Sequence, residues 1–389
     1  MKKQVLIIGA GKIGRGFIAH LFFKSGYKLW FLDASGPLVT LLNKEKRYRI
    51  DIAGKSKDMT EYVDVEGAFT LEHSEQLAAI LRDTDILVSS VGAANIESVA
   101  GFIKKGLITA GRSKPLNWII AENANNPAKK IRDILLKDAD PDFEDFVHER
   151  LGLIETQILR TGMPANEEVL LHEPLALRMQ DWWTLPLDKD AFVGLVPEVY
   201  GFRPRSNFSH ELIRKIYTFN GTNGPIAYIG WANGYRLLHE SALAFPAFFT
   251  EIQEESAFGL IREFHLDEQE QRAFMTLALK KYTDPALNDR VERNAADSRR
   301  KLRKEERLVG PALLCLKHGK TPDAYAKAIA AAYYYTGSDD EGTREVQATI
   351  DRDGIEKAIQ KYSGIDGSTP LYELIITAYR AKSFIIAPL

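Results

Sequence analysis

The feature that most constrains the fold of this chain is a glycine-rich turn near its start. The apolar run Gln4–Ile8 has the composition of a buried parallel strand, and the sequence Gly9-Ala-Gly-Lys-Ile-Gly14 follows it directly. A stretch of helical length begins after the turn. A strand, a G-x-G-x-x-G turn and a helix in this order predict the first βα unit of a dinucleotide-binding sheet.

Each glycine of this turn has a physical role in cofactor binding. Gly9 permits the tight turn, Gly11 lets the pyrophosphate approach the backbone, and Gly14 lets the helix pack closely against the strand. The N-terminus of the helix offers free N–H groups and the positive end of its dipole to the phosphates. We therefore predict cofactor contacts from the whole turn, which consists of Gly9, Ala10, Gly11, Lys12, Ile13 and Gly14.

Asp33 indicates which dinucleotide binds. It follows the second predicted strand, residues 28–32, and lies 19 residues after Gly14. A carboxylate at this position accepts hydrogen bonds from the adenosine ribose hydroxyls and repels a 2′-phosphate. The sequence therefore favours NAD over NADP as the cofactor.

Two later strands are predicted to end at the same edge of the sheet. Val91 and Gly92 follow one of them, and Asn123 follows the other. Ligands of open α/β sheets bind at the carboxyl ends of the strands. We expect all three residues to contact the cofactor, and Asn123 either to face the substrate as well or to cap a helix.

The order of elements changes along the chain and predicts two domains. Strand-like runs alternate with helical ones up to about residue 195, which implies βαβ units and a parallel sheet, whereas long helical stretches dominate from residue 209 onward. We predict an α/β plus all-α architecture, with a Rossmann-type NAD-binding domain at 1–195 and a mostly helical substrate domain at 196–389. A length of 389 residues agrees with two domains of roughly 100–200 residues each.

Composition excludes several classes of function. Lysine and arginine total 51 and aspartate and glutamate total 53, and this near-balance argues against nucleic acid or an anionic membrane surface as a partner. Cys315 is the only cysteine, so an internal disulfide and a multi-cysteine zinc site are excluded, and no metal is predicted. No apolar run approaches the roughly 20 residues that span a membrane. We expect a cytoplasmic protein with a small-molecule partner.

Further segments resemble the polyol-specific long-chain dehydrogenases, the mannitol dehydrogenase family. The opening Gly9-Ala-Gly-Lys-Ile-Gly-Arg-Gly-Phe17 is similar to the start of that family. Residues 214–230 include Lys215 and Asn220 of its Lys-x4-Asn-x2-His signature. Residues 289–293 and 300–302 match two of its later segments, and residues 122–123 match an asparagine-bearing strand end. The length of the chain fits the shorter branch of the family, which acts on hexitol phosphates.

The resemblance implies metal-independent hydride transfer between a secondary alcohol and NAD. By the match, Lys215 is the general base, and the amides of Asn123 and Asn220 donate hydrogen bonds to the reacting oxygen. A lysine base needs a pKa lowered from about 10.4 towards 7–8, which apolar neighbours of Lys215 would favour. Lys215 and Asn220 are five residues apart, roughly 140° around an α-helix. We therefore expect the helix to end near Phe219, as Asn220-Gly221 suggests.

Two positions depart from the family pattern. Asn223 stands where the signature has histidine, and an asparagine can donate and accept hydrogen bonds but cannot carry a titrating proton. Ala296 stands where hexitol-phosphate enzymes usually have a second arginine. We include Asn223 among the catalytic residues. The resemblance implies that Arg293, Arg300 and Lys301 bind the substrate.

The sequence thus predicts an NAD-dependent oxidoreductase that interconverts a hexitol phosphate, similar to mannitol 1-phosphate, and a keto-sugar phosphate, similar to fructose 6-phosphate. We expect a monomer or a weak oligomer. Two alternatives remain open. In the first, the enzyme acts on a non-phosphorylated polyol, a hexuronate or a sugar conjugate. In the second, the chain binds NAD and a sugar, and its catalysis is weakened by Asn223.

Overall fold

The computed structural model describes residues 3–53, 59–124 and 126–386. The chain divides into two compact units, Met1–Phe208 and Ser209–Leu389. The division lies beyond the boundary predicted near residue 195, because a strand at Phe202–Arg205 pairs with Leu185–Asp188 and so belongs with the first unit. The predicted fold class, an α/β unit followed by a mostly helical one, is confirmed.

Strands, within the described residues, occur in the first unit alone. They are β1 (Gln4–Ile8), β2 (Lys28–Leu32), β3 (Arg47–Ala53), β4 (Met59–Asp64), β5 (Gly67–Phe69), β6 (Ile86–Ser89), β7 (Leu116–Ile120), β8 (Leu151–Glu155), β9 (Gly162–Met163), β10 (Leu177–Gln180), β11 (Leu185–Asp188) and β12 (Phe202–Arg205). The helices of this unit are α1 (Ala19–Lys24), α2 (Gly36–Glu45), α3 (Ser74–Asp83), α4 (Ile96–Ala110), α5 (Pro127–Leu136), α6 (Pro141–Glu149) and α7 (Glu167–His172). A π-helical turn at Gly14–Ile18 leads into α1, and a 3₁₀ turn at Ala93–Asn95 leads into α4.

A six-stranded parallel sheet forms the centre of the first unit. Its strand order is β5-β2-β1-β6-β7-β8, so the chain leaves β1 on one side and returns on the other at β6. Successive residues of β1 point to opposite faces: Val5 and Ile7 belong to one hydrophobic cluster, Leu6 and Ile8 to another. Burial on both faces explains why β1 reads as a continuous apolar run. The strand order reverses beside Gly9, which places the glycine turn at the switch point of the sheet.

A second sheet covers the helix that follows the glycine turn. It has the order β4-β3-β10-β9, and β10 joins β3 in parallel. Met179 of β10 packs so closely on the π-helical turn that a Cβ at Gly16 would lie 2.5 Å from its sulfur. This contact fixes the start of α1 against the second sheet.

The second unit is built from helices. They are α8 (Phe208–Lys215), which begins at the last residue of the first unit, α9 (Gly221–Ala232), α10 (Leu238–Ala244), α11 (Pro246–Phe264), α12 (Glu268–Tyr282), α13 (Val291–Ala295), α14 (Ser298–Lys301), α15 (Val309–Lys317), α16 (Asp323–Tyr334), α17 (Glu341–Asp353), α18 (Ile355–Ala358) and α19 (Pro370–Ala381). Two π-helical turns, Ile216–Asn220 and Ile359–Ser363, and a 3₁₀ turn at Pro285–Leu287 complete it. No helix in the described part of the chain has the length and apolar character needed to cross a membrane.

Helix α9 is the centre of this unit. Its residues 221–230 are all buried, and it packs against α10, α11, α13 and α16. A helix that is buried on every side belongs to a core. Helices α10 and α11 are separate, because Pro246 cannot continue a helix from α10 and instead begins α11.

Candidate active site

The glycine turn has the close packing that its motif requires. A Cβ at Gly9, where φ is +91°, would lie 2.2 Å from the carbonyl oxygen of Ser90, and one at Gly14 would lie 1.9 Å from that of Gly9. Gly11 is exposed, and a Cβ there would meet nothing within 4 Å. Two glycines therefore serve packing, while Gly11 leaves space above the turn for a ligand.

The other residues of the turn differ in exposure. Lys12 is exposed and Ile13 is half-buried, whereas Ala10 is buried and donates its N–H to Asp33 Oδ2 at 2.7 Å. Asp33 Oδ1 accepts a second hydrogen bond from the N–H of Ser35 at 2.8 Å. Each carboxylate oxygen keeps a lone pair for a further donor. Asp33 thus holds the glycine turn in place and remains able to accept hydrogen bonds from a ribose.

Arg15 is a buried residue of this turn that the sequence reasoning missed. Its Nε donates to the carbonyl of Ala10 at 2.6 Å, and its Nη1 donates to the carbonyl of Leu175 at 2.7 Å. Burial lowers the pKa of the Arg15 guanidinium. Nothing in the sequence distinguishes it from an exposed arginine on a helix, because its partners are backbone carbonyls far apart along the chain.

Glu122 connects the two later strand ends. Its carboxylate accepts hydrogen bonds from the N–H groups of Val91 at 2.7 Å and Gly92 at 2.8 Å. Burial raises the pKa of this carboxyl group. The backbone donors of Val91 and Gly92 are therefore occupied, and a cofactor would meet other atoms of these two residues.

Asn123 follows β7 with its side chain exposed. Helix α5 begins at Pro127 with Asn126 at its N-cap, so Asn123 does not cap it. Within the described residues the Asn123 amide has no hydrogen-bond partner. It is therefore free to meet a ligand at the end of β7.

In the second unit, the predicted helix end near Phe219 is wrong. The chain continues from α8 through the π-helical turn Ile216–Asn220 into α9, and the N–H of Gly221 donates to the carbonyl of Ile216 five residues earlier. Because the hydrogen bonds of a π-helical turn join residues five apart, we expect Lys215 and Asn220 to lie nearer to one face than the roughly 140° offset of an α-helix allows.

Lys215 lies half-buried at the junction of α8 and the π-helical turn. No residue that the structure describes accepts a hydrogen bond from its ammonium group. Burial, with smaller contributions from the positive charges of Lys281 and Arg307, lowers the pKa of Lys215 to about 8. A lysine with this pKa is partly neutral near neutral pH.

Asn223 begins a chain of hydrogen bonds to Arg293. Its Nδ2 donates to Asn294 Oδ1 at 3.1 Å, and Asn294 Nδ2 donates to Asp289 Oδ1 at 2.8 Å. Arg293 donates to both oxygens of Asp289 through Nη2, at 2.6 and 2.7 Å. The signature-position asparagine and a predicted substrate-binding arginine are thus connected through Asn294 and Asp289.

The other two predicted substrate cations are engaged by the protein. The buried Lys301 donates its Nζ to the backbone carbonyls of Asn294, at 2.7 Å, and Ala296. Burial, together with Arg307 and Arg300, lowers the pKa of Lys301 to about 7. Arg300 donates to Asp297 at 2.7 Å and lies 3.3 Å from Glu306. Lys301 therefore supports the backbone before α14, and Arg300 is paired with carboxylates.

Three residues that contact or influence these side chains were missed from the sequence: Lys281, Asp289 and Asn294. Asp289 carried a signal, since the segment 289–293 matched the family, but its partner Asn294 lies one residue beyond that segment. Lys281 lies in the last turn of α12, where a lysine usually stabilises the helix dipole, so its proximity to Lys215 could not be seen from the sequence. No three His, Cys, Asp or Glu side chains in the described ranges are grouped to hold a metal ion.

The resemblance to the mannitol dehydrogenase family is confirmed by two family models. The mannitol dehydrogenase Rossmann domain matches residues 3–199, and the mannitol dehydrogenase C-terminal domain matches residues 210–381. A mannitol-1-phosphate 5-dehydrogenase of Thermoanaerobacter pseudethanolicus is 29% identical over 376 residues, covering 96% of each chain. One from Caldanaerobacter subterraneus subsp. tengcongensis is 28% identical over 380 residues, covering 97% of each chain.

Two solved structures share the fold. A D-sorbitol dehydrogenase in substrate-free form superposes with a TM-score of 0.82 at 13% identity, covering 99% of this chain and 94% of the other. The mannitol 2-dehydrogenase of Pseudomonas fluorescens, in a ternary complex with NAD and D-mannitol, gives a TM-score of 0.68 at 13% identity, covering 98% and 92%.

A matched pair of variants distinguishes the glycine that is needed for packing from the glycine that is needed for cofactor binding. Gly14→Ala should lower the free energy of unfolding by about 1–3 kcal/mol or more, since its Cβ would overlap the carbonyl of Gly9. Gly11→Ala should leave stability within about 0.5 kcal/mol and weaken binding of NAD. Urea unfolding and calorimetric NAD titration measure both. Equal losses of stability in the two variants would contradict the assignment.

Proposed function

Because this chain belongs to the mannitol dehydrogenase family, we propose that it oxidises a hexitol phosphate similar to mannitol 1-phosphate to a keto-sugar phosphate similar to fructose 6-phosphate, and catalyses the reverse reaction. The chain is an NAD-dependent oxidoreductase of that family. The observation that carries the proposal is a half-buried lysine that has no hydrogen-bond partner within the described residues and stands one π-helical turn before Asn220. The name shared by the two bacterial relatives supports the substrate class.

The first unit fits a dinucleotide. The space above Gly11 admits a pyrophosphate, whereas a side chain at that position would fill it. Asp33 has lone pairs to accept hydrogen bonds from the ribose hydroxyls, and Val91 and Gly92 flank the end of the neighbouring strand. Bound NAD supplies the acceptor for the hydride that leaves the alcohol carbon.

Lys215 acts as the general base in this proposal. In its neutral form the amine takes the hydroxyl proton of the alcohol while the C–H bond breaks and its electron pair leaves with the hydride. In the reverse direction the ammonium returns that proton to the oxygen. Burial serves this role because it destabilises the charged form of Lys215 and brings its pKa near the working pH.

Asparagine amides stabilise the charge that develops on the oxygen. Asn220 lies one π-helical turn from Lys215, so its amide N–H and the lysine amine can both contact the reacting oxygen of the substrate. The family resemblance assigns the role of second donor to Asn123, whose amide has no partner in the described part of the chain. A neutral amide donates a hydrogen bond without competing for the transferred proton.

Asn223 orients the substrate through its neighbours. It is connected by Asn294 and Asp289 to Arg293, which faces solvent on α13. The positive charges of Lys281 and Arg307 add a field that favours an anionic substrate. We assign the phosphate to this cationic region, with Arg293 as its direct contact and Arg300 and Lys301 as supporting charges.

One observation favours a second candidate, a non-phosphorylated polyol. Arg293 and Arg300 already have carboxylate partners, Asp289 for the first and Asp297 with Glu306 for the second. An arginine whose charge is balanced by a neighbouring carboxylate attracts a phosphate less strongly. A KM that is equal for a hexitol and its phosphate would support this candidate.

Turnover and its dependence on Lys215 test the proposal. Purified protein with NAD and mannitol 1-phosphate, or with NADH and fructose 6-phosphate, should change the nicotinamide absorbance. Lys215→Ala should lower kcat by about 10²–10⁴-fold and leave NAD affinity unchanged, because the base is lost and the first unit is untouched. Lys280→Ala, at an exposed lysine of α12, is the matched control and should keep full activity.

The pH dependence has a defined sign. Oxidation needs neutral Lys215, so kcat/KM for the alcohol should rise with pH and level off above about 8. Reduction needs the ammonium form and should fall over the same range. Absence of turnover across polyols, polyol phosphates and hexuronates would refute the enzymatic proposal, and tight binding of NAD and sugar without turnover would identify a binding protein.

Variants of Asn223 test the signature position. An imidazole N–H can replace the amide donor to Asn294, so Asn223→His should keep kcat/KM with mannitol 1-phosphate within about tenfold. Asn223→Leu leaves the amide oxygen of Asn294 unpaired and should raise KM by about tenfold or more. Steady-state kinetics on both variants measure this. A gain of a hundredfold in Asn223→His would show that the site is not adapted to that substrate.

A further inference from the structure

The carbonyl of Gly221, at the end of the π-helical turn between α8 and α9, needs a hydrogen-bond donor from elsewhere. Gly221 is the first residue of α9, and its carbonyl would normally accept from the N–H four residues later. That residue is Pro225, which has no N–H. Buried carbonyls without a partner are costly, so a side chain must supply the missing hydrogen.

Tyr325 of α16 supplies it. Its hydroxyl is fully buried and donates to the carbonyl of Gly221 at 3.0 Å, and it lies 3.4 Å from the carbonyl of Tyr217 inside the π-helical turn. Ser256 of α11 donates to the same Tyr217 carbonyl at 2.9 Å. Two side chains from two helices therefore hold the carbonyls on either side of Asn220.

Glycine at position 221 is required for this contact. A Cβ there would lie 2.7 Å from the Tyr325 hydroxyl oxygen and 3.3 Å from the carbonyl oxygen of Arg307. The backbone at Gly221 has an ordinary helical φ of −67°, so space alone, and not conformation, excludes a larger residue. The tyrosine hydroxyl thus reaches the backbone only because the turn ends in glycine.

The backbone of Tyr325 is itself held by α11. The carboxylate of Glu255 accepts hydrogen bonds from the N–H groups of Ala324 at 2.8 Å and Tyr325 at 2.9 Å, at the start of α16. Glu255 precedes Ser256, so one point on α11 fixes both the tyrosine and the π-helical turn. The hydroxyl therefore has little freedom to follow the turn if the turn relaxes.

We propose that Tyr325 is a positioning residue for the lysine base, because its hydroxyl holds the π-helical turn that stacks Lys215 with Asn220. The inference rests on the proposed function of Lys215. If the turn relaxed to α-helical hydrogen bonding, Asn220 would lie about 140° around the helix axis from Lys215. The two side chains would then no longer contact the same substrate atom. Tyr325 touches neither the amine nor the amide, so it acts through the backbone alone.

Tyr325→Phe tests this, with Tyr333→Phe as the matched control. Tyr333 is also fully buried on α16, and its hydroxyl lies 2.6 Å from Ser363 Oγ, away from the turn. Both variants lose one buried hydroxyl bond. We expect Tyr325→Phe to lower kcat for alcohol oxidation by about tenfold to a hundredfold at unchanged NAD affinity, and to speed amide hydrogen exchange at residues 220–222. Tyr333→Phe should do neither.

Gly221→Ala is a second test, since its Cβ would displace the Tyr325 hydroxyl. Like Tyr325→Phe, it should lower kcat and speed amide hydrogen exchange at residues 220–222. Faster exchange with unchanged kcat, a kcat loss without faster exchange, or equal effects in Tyr333→Phe would each overturn the positioning role.

The proposed function can fail separately from this inference. Lack of turnover in the wild type counts against the function. The positioning role is then tested by amide hydrogen exchange at residues 220–222 and by acylation of Lys215 at a series of pH values. Tyr325→Phe should shift the pH at which half of the Lys215 amine reacts away from the wild-type value. The charged groups that set that midpoint are Lys281 on α12 and Arg307 before α15. An unshifted midpoint and unchanged exchange would overturn the role.

Discussion

A hydrogen bond that spans five residues sets the geometry of the candidate site. The N–H of Gly221 donates to the carbonyl of Ile216, so the helix widens for one turn and places Lys215 and Asn220 on one face. Pro225 leaves the Gly221 carbonyl beside this turn without its usual helical donor, and side chains of α11 and α16 donate to the carbonyls of Tyr217 and Gly221. The candidate catalytic face of the helical unit thus depends on a departure from α-helical geometry that the surrounding core maintains.

In both units, buried or half-buried polar side chains hold irregular backbone in place. Asp33 accepts from the N–H of Ala10 in the glycine turn, and Glu122 accepts from the N–H groups of Val91 and Gly92. Lys301 donates to backbone carbonyls before α14 in the helical unit. Ligand-binding loops cannot satisfy all their backbone groups within a strand or helix, so rigid loops need such partners.

The fold class could be predicted because its signals are local. A strand, a glycine turn and a helix lie within 24 residues, and the continuous apolar run of β1 reflects burial on both faces of a parallel sheet. Lys215, Asn220 and Asn223 were predicted as site residues from family resemblance, since three polar residues in an apolar stretch carry no other signal. The helix end at Asn220-Gly221 was predicted wrongly, because an Asn-Gly pair usually stops a helix.

What the sequence could not provide is the set of contacts between distant segments. Lys281 affects the amine of Lys215 from 66 positions later in the chain, and the Tyr325 hydroxyl reaches Gly221 from α16. Such pairs follow from how helices pack, which periodicity within one helix does not determine.

The pKa of the Lys215 amine tests the central claim most directly, because it depends on burial and neighbouring charges and on no choice of substrate. Competitive acylation at a series of pH values, followed by mass spectrometry of the peptide that contains Lys215, gives the pH at which half of that amine reacts. The account predicts a midpoint near 8. A midpoint near 10.4, the ordinary value of a lysine in a peptide, would contradict it.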